Sequence, residues 1–231
     1  IDGGADNFVG TGVGDTLSIV NTGNINTPQE NGWVVTGDGS GTVDGQGQGA
    51  VDFTDVETLE GNARNDNFNI RLGGSIGSIN GGDGTDSVSF ADPTRVVGVT
   101  VAYDTFTSIE SLTGSLLSDT LTGTDGEDTF TLTAAGEGSA TLTAGGGEVV
   151  TFTSFENISG QDGIDTFELD GDFGGIVSGD GGNDEFNLNV NQSGQFNGGD
   201  GGDTFTLADG VVLSFPGAAI AGGAGNDTLN L

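Results

Sequence analysis

Residues 160–169 (GQDGIDTFEL), 179–188 (GDGGNDEFNL) and 198–207 (GGDGGDTFTL) decide how this chain folds. Each opens on a Gly-rich turn, closes it with an aspartate and runs on as alternating polar and apolar residues. Asp165, Asp184 and Asp203 stand 19 residues apart, twice in succession. In DEFNL or DTFTL the alternation puts Phe and Leu on one face and Thr, Glu or Asn on the other, the period-two signature of a half-buried strand.

The same unit recurs along the chain as GGADNFV (3–9), GVGDTLSI (12–19), GNARNDNFNI (61–70), GGDGTDSVSF (81–90), GTDGEDTFTL (123–132) and GGAGNDTLNL (222–231). A second repeat overlays it: FTDVETLEG (53–61), FTSIESLTG (106–114) and FTSFENISG (152–160). WVVTGDGSGTV (33–43) also aligns with FTLTAAGEGSA (130–140), which gives a longer period of roughly 50 residues. Five-residue strands between Gly and Asp turns, with no run of helical periodicity, fit coils stacked in register better than a sandwich of hairpins. The predicted fold is all-β, a single repeat-built parallel β-solenoid of the β-helix or β-roll type over residues 1–231, with about 18–25 residues per coil. Stacking would superpose Phe68, Val88, Phe130, Phe167, Phe186 and Phe205 as an internal ladder.

Composition narrows the function. Against 35 acidic residues stand three basic ones, Arg64, Arg71 and Arg95, for a formal charge of -32. Such a charge repels phosphate backbones and anionic lipid, so neither nucleic acid nor membrane insertion is expected. It also opposes compaction, so bound cations or high ambient salt must offset it. There is no Cys, hence no disulfide and no thiolate metal site. Met is absent too, which leads us to expect a processed product or a segment of a larger secreted protein.

GGDGTDSVSF, GGDGGDTFTL and GGAGNDTLN resemble the RTX nonapeptide, Gly-Gly-x-Gly-x-Asp-x-apolar-x, whose turns hold calcium between adjacent coils of a β-roll. The longer FTxVE unit resembles repeats of giant bacterial secreted or surface proteins of the adhesin type. The chemistry is independently reasonable. Calcium takes six to eight oxygen ligands, and a Gly-rich turn exposes carbonyls that no side chain obstructs. The candidate calcium ligands are Asp83, Asp86, Asp125, Asp128, Asp162, Asp165, Asp180, Asp184, Asp200, Asp203 and Asp227. The competing reading makes each turn aspartate an acceptor for backbone N–H groups, with no metal. The chain departs from a regular β-roll because most motifs are not nine residues apart, so the sites are expected to be few and one-sided.

Glu57, Glu110 and Glu156 recur two residues before an apolar residue, where simple alternation would bury a carboxylate. A corner, with the Glu accepting backbone N–H bonds, resolves the conflict. An enzyme is not expected: His, Lys and Cys are absent and no acid pair is singled out. The Thr runs TFTLT (129–133) and ATLTAG (140–145) alternate too irregularly for a uniform ice-binding face, and a carbohydrate-active β-helix is an equally weak reading. The expected function is a non-catalytic spacer or stalk of a bacterial surface or biofilm protein, secreted and stiffened by calcium. The alternative is a subunit that polymerises end to end as an extracellular filament. Its partners would be calcium, neighbouring repeats or other copies, with a surface or glycan ligand for which no pocket is named.

Overall fold

Phe, Val, Ile and Thr at alternate positions fit a pleated surface with one buried face, and the chain uses them that way. The computed structural model describes residues 7–9, 14–18, 31–45, 50–142, 148–214 and 217–231. It is all-β, with long and mostly parallel sheets, and among the described residues the only helical ones form a three-residue 3-10 turn, Tyr103–Thr105. The arrangement is consistent with a solenoid-like β fold. Two compact units are present, one of Ile1–Val96 with Thr105–Leu116 and one of Val97–Asp104 with Leu117–Leu231.

The second unit contains the deciding stretch. Thr129–Ala134, Thr166–Leu169, Glu185–Leu188, Thr204–Leu207 and Thr228–Asn230 pair in parallel, one after another. Thr166 lies opposite Glu185 and Glu185 opposite Thr204, so the register step is the 19 residues read from the sequence. The next step is longer, from Thr204 to Thr228. Phe130, Phe167, Phe186 and Phe205 therefore stack, with ring centroids 5.3, 4.7 and 4.6 Å apart and planes within 20° of parallel. A second parallel sheet runs through Thr100–Ala102, Thr120–Thr122, Asn157–Ser159, Ile176–Gly182, Gln195–Gly201 and Ala219–Gly225. It adds a buried ladder of Leu121, Ile158, Val177 and Phe196.

The first unit repeats the plan. Asn31–Gly37 pairs in parallel with Asp66–Ile70, which pairs with Ser87–Ser89, which pairs with Ser111–Thr113. Trp33 stacks on Phe68 at 5.3 Å, and Phe68 lies opposite Val88. Its second sheet orders Phe106–Thr107, Ser78–Asn80, Thr58–Glu60 and Thr16–Ser18. The anticipated ladder is thus found as Phe68 with Val88 in one unit and as the four-Phe stack in the other.

Among the described residues, parallel coil-on-coil pairing is interrupted by an antiparallel meander in each unit. Asn31–Gly37, Ser40–Gly45 and Ala50–Thr54 form an antiparallel meander, and so do Thr129–Ala134, Glu137–Leu142 and Glu148–Thr153. These are the two segments that align at long period. Their first hairpin turns centre on Asp38-Gly39 and Ala135-Gly136, where the Gly has a φ of +55° or +71° and the register shifts by a bulge. A Gly in this conformation beside a bulge closes a hairpin that other residues would strain. Each meander lengthens its coil: Thr129 lies opposite Thr166, a step of 37 residues.

After each FT pair the chain turns a corner at a non-Gly residue with positive φ: Asp55 at 54°, Ser108 at 51° and Ser154 at 60°. Asp and Ser tolerate this conformation better than branched residues do. The corner sends the next residue, Val56, Ile109 or Phe155, into the core.

Candidate functional site

Each turn delivers its aspartate to the start of a strand, two positions before the strand's first buried apolar side chain. Asp86, Asp128, Asp165, Asp184 and Asp203 are all at most 1% exposed. A buried carboxylate needs donors, and for Asp86, Asp165, Asp184 and Asp203 the preceding coil supplies one. The Asp128 N–H donates to Oδ1 of Asp165 at 2.8 Å, the Asp165 N–H to Asp184 at 2.9 Å, and the Asp184 N–H to Asp203 at 2.9 Å. The Asp203 N–H then donates to Asp227 at 3.2 Å. In the first unit the Asp66 N–H donates to Asp86 at 2.7 Å. The result is a directional file of carboxylates in which Asp86, Asp165, Asp184, Asp203 and Asp227 each serve the coil before them.

The second oxygen divides the turns into two kinds. Asp66 Oδ2 accepts the Asn62 N–H, and Asp128 Oδ2 accepts the N–H and hydroxyl of Thr124, the residue four positions earlier in its own turn. These turns are self-capped. In the other turns that residue has positive φ: Gly82 at 96°, Gln161 at 80°, Asp180 at 70° and Gly199 at 114°. There Oδ2 of Asp86, Asp165, Asp184 and Asp203 is buried without a hydrogen-bond partner.

The orphan oxygens lie where only glycine leaves room. A Cβ on Gly160 would fall 2.1 Å from Oδ2 of Asp165 and 2.9 Å from the Gly179 carbonyl oxygen. One on Gly179 would meet Asp184 at 2.0 Å and the Gly198 carbonyl at 2.6 Å, and one on Gly198 would meet Asp203 at 2.0 Å and the Gly222 carbonyl at 2.3 Å. A carboxylate oxygen and a carbonyl of the following coil thus converge at each step. Burial is the main cause that pushes the Asp165 carboxyl up to about 7 and those of Asp86 and Asp184 up to about 6. The accepted N–H opposes the shift, and neighbouring carboxylates add to it. Asp203 is raised for the same reasons.

The eleven predicted ligands separate into an inner and an outer set. Asp86, Asp128, Asp165, Asp184 and Asp203 form the inner file; Asp83, Asp125, Asp162, Asp180, Asp200 and Asp227 are exposed. Asp227 continues the inner file through its bond to Asp203. Asp162 lies opposite Gly181, and a Cβ there would be 2.8 Å from its Oδ1. Asp180 accepts the hydroxyls of Ser178 and Ser159. Among the described residues, no group of three or more His, Cys, Asp and Glu is gathered around a common point for a metal.

The donor set nonetheless fits a hard cation. Four buried, unpartnered carboxylate oxygens, three of them beside a glycine carbonyl of the next coil, are the oxygen ligands calcium prefers. The residues that would hold it are Asp86, Asp165, Asp184 and Asp203, aided by turn carbonyls.

Glu57, Glu110 and Glu156 sit at corners and accept backbone N–H bonds, as the sequence suggested. Their donors are the N–H groups of Asp15 at 2.8 Å, Asp86 at 2.6 Å and Asp119 at 2.9 Å. What sequence reasoning missed is their equivalence to the motif aspartates. The residue after each one, Thr58, Ser111 or Asn157, donates its N–H to the carbonyl of Asp15, Asp86 or Asp119. Thr166, Glu185 and Thr204 do the same to Asp128, Asp165 and Asp184. The signal was present as acid-x-apolar in ETL, ESL and ENI beside DTF and DEF.

No protein-family model and no curated protein matches this chain.

Proposed function

We propose that this chain is a non-catalytic module of a secreted bacterial surface or biofilm protein, a spacer or stalk built as an RTX-like parallel β-solenoid and stiffened by calcium at its stacked turns. The observation that carries the reading is the set of buried orphan oxygens on Asp86, Asp165, Asp184 and Asp203, each in a turn whose second residue has positive φ. A buried, unpaired carboxylate oxygen is costly, and a cation bound there removes the cost. The charge of -32 supports the same reading, because a chain that lacks compensating Lys and Arg depends on its medium for cations. The absence of His, Lys and Cys supports a structural role over a catalytic one.

Thermal unfolding in EDTA, calcium, magnesium and matched sodium chloride tests the proposal. The expected result is a rise specific to calcium, about 2.7 kcal/mol of added stability at a hundredfold excess over Kd. Equal stability in all four media would leave a fold held by its aromatic ladders and hydrogen bonds, with acidity serving solubility.

A further inference from the structure

The three corner glutamates do the work of the motif aspartates by different means. Asp86, Asp165, Asp184 and Asp203 each give one oxygen to the preceding coil and bury the other. Glu156 is exposed, and Glu57 and Glu110 are only partly buried. None of the three has a buried orphan oxygen, whereas four aspartates do. The longer side chain and the corner at Asp55, Ser108 or Ser154 let the carboxylate reach the preceding coil from the outside of the turn. The backbone completes a two-point clamp: the Glu57 and Glu110 N–H groups donate to the carbonyls of Asp15 and Asp86 at 3.1 Å, while those aspartates' N–H groups donate to the Glu carboxylates. At the third corner the Asn157 N–H donates to the Asp119 carbonyl at 2.9 Å and the Asp119 N–H to Glu156.

We infer that Glu57, Glu110 and Glu156 are resident clamps that stand in the register of the motif aspartate and close their joints without a cation. Cation dependence is then confined to the joints made by Asp-to-Asp contacts, foremost the run from Asp165 to Asp203. The inference rests on the calcium reading only for this contrast; the clamp itself follows from the hydrogen bonds.

Amide hydrogen exchange of the full chain, read at the Asp119, Asp165 and Asp184 N–H groups in EDTA and in calcium, tests both parts. Calcium should slow exchange at Asp165 and Asp184 by about tenfold or more and leave Asp119 within about twofold. Glu156→Ala should speed exchange at Asp119 by about tenfold, equally in both media, and Glu156→Gln, which keeps an acceptor oxygen, should retain most of the protection. Because Glu156 is exposed, neither change opens a cavity. Slowing of Asp119 exchange by calcium in step with Asp165, or unchanged Asp119 exchange in Glu156→Ala, overturns the clamp. If no amide responds to calcium but Glu156→Ala still releases Asp119, the clamp stands and the calcium reading falls.

Discussion

In the turn at residues 123–128, both oxygens of Asp128 meet hydrogen-bond donors from Thr124. In the turn stacked against it, residues 160–165, one oxygen of Asp165 meets none. Both turns have a glycine five residues before the aspartate, and both bury the carboxylate. They differ in the backbone of two residues: Thr124 aims its N–H at the carboxylate, while Gln161, at φ +80°, does not, and Gly163 takes a φ of +134° where Gly126 has no positive φ. Whether the second carboxylate oxygen finds a donor is therefore set by main-chain conformation and not by the number of acidic groups.

Filling the space beside an orphan oxygen should cost the most. Gly198→Ala would place a methyl 2.0 Å from Asp203 and 2.3 Å from a backbone carbonyl, and we expect a loss of about 3 kcal/mol in urea unfolding. Gly202→Ala, whose nearest neighbour would be 3.3 Å away, should lose far less. Similar losses at the two positions would deny that the first glycine is reserved for the carboxylate.

Acidification comes next. Asp86, Asp165 and Asp184 have folded pKa values of about 6, 7 and 6 against an ordinary 3.8, and Asp203 moves in the same direction. A raised carboxyl contributes stability that is complete below the unfolded value and is lost as the pH rises through the folded one. In EDTA the thermal midpoint should therefore climb as the pH falls from 7.5 to 4.5, by an amount on the order of a few kcal/mol over the four groups. Asp92, held near 2 by the Leu72 and Thr94 N–H groups, works in the opposite direction only below 3.8 and leaves that window untouched. A midpoint that falls on acidification would show that these carboxylates are ionised and satisfied.

Asp184→Asn replaces the orphan oxygen's carboxylate with a neutral amide. The amide keeps an oxygen for the Asp165 N–H and gains a donor toward the Gly198 carbonyl. In EDTA at pH 7.5 stability should rise by about 1 kcal/mol, while the gain from calcium shrinks. Equal losses in both media would make the carboxylate an ordinary cap. Smallest of all, Gln161→Gly should add about 1 kcal/mol or less in either medium by relieving the positive φ; a loss would mean that the glutamine side chain stabilises the turn.

Much of this was legible in residues. The 19-residue spacing of Asp165, Asp184 and Asp203 became the register, and the Phe of DTFEL, DEFNL and DTFTL became the stack, because period-two patterning and repeat length report directly on a strand and its neighbour. The meanders at 31–54 and 129–153 were not read, although Asp38-Gly39 and Ala135-Gly136 flanked by alternating runs are hairpin material. A hairpin inside a coil and a long coil produce the same periodicity. The glutamates were recognised as acceptors but not as members of the aspartate file, since one extra methylene and a corner bring them there by another route. The division into capped and uncapped turns lay beyond sequence altogether: Asn62 and Thr124 adopt ordinary φ while Gln161 and Asp180 do not, and no composition rule separates them.

The one-way character of the carboxylate file bears on how such a chain changes length. Each coil from Asp165 to Asp203 hands its acceptor to the coil before it and takes one from the coil after it, through the same backbone N–H and carboxylate groups. Excising residues 179–197 would bring the Asp165 N–H to the carboxylate of Asp203 and Phe167 onto Phe205, restoring the carboxylate and ring contacts of the seam that was lost. Loss or duplication of a whole 19-residue coil is thus tolerated at the joint itself, whereas a deletion that removes only part of a coil would misplace both the carboxylate and the ring.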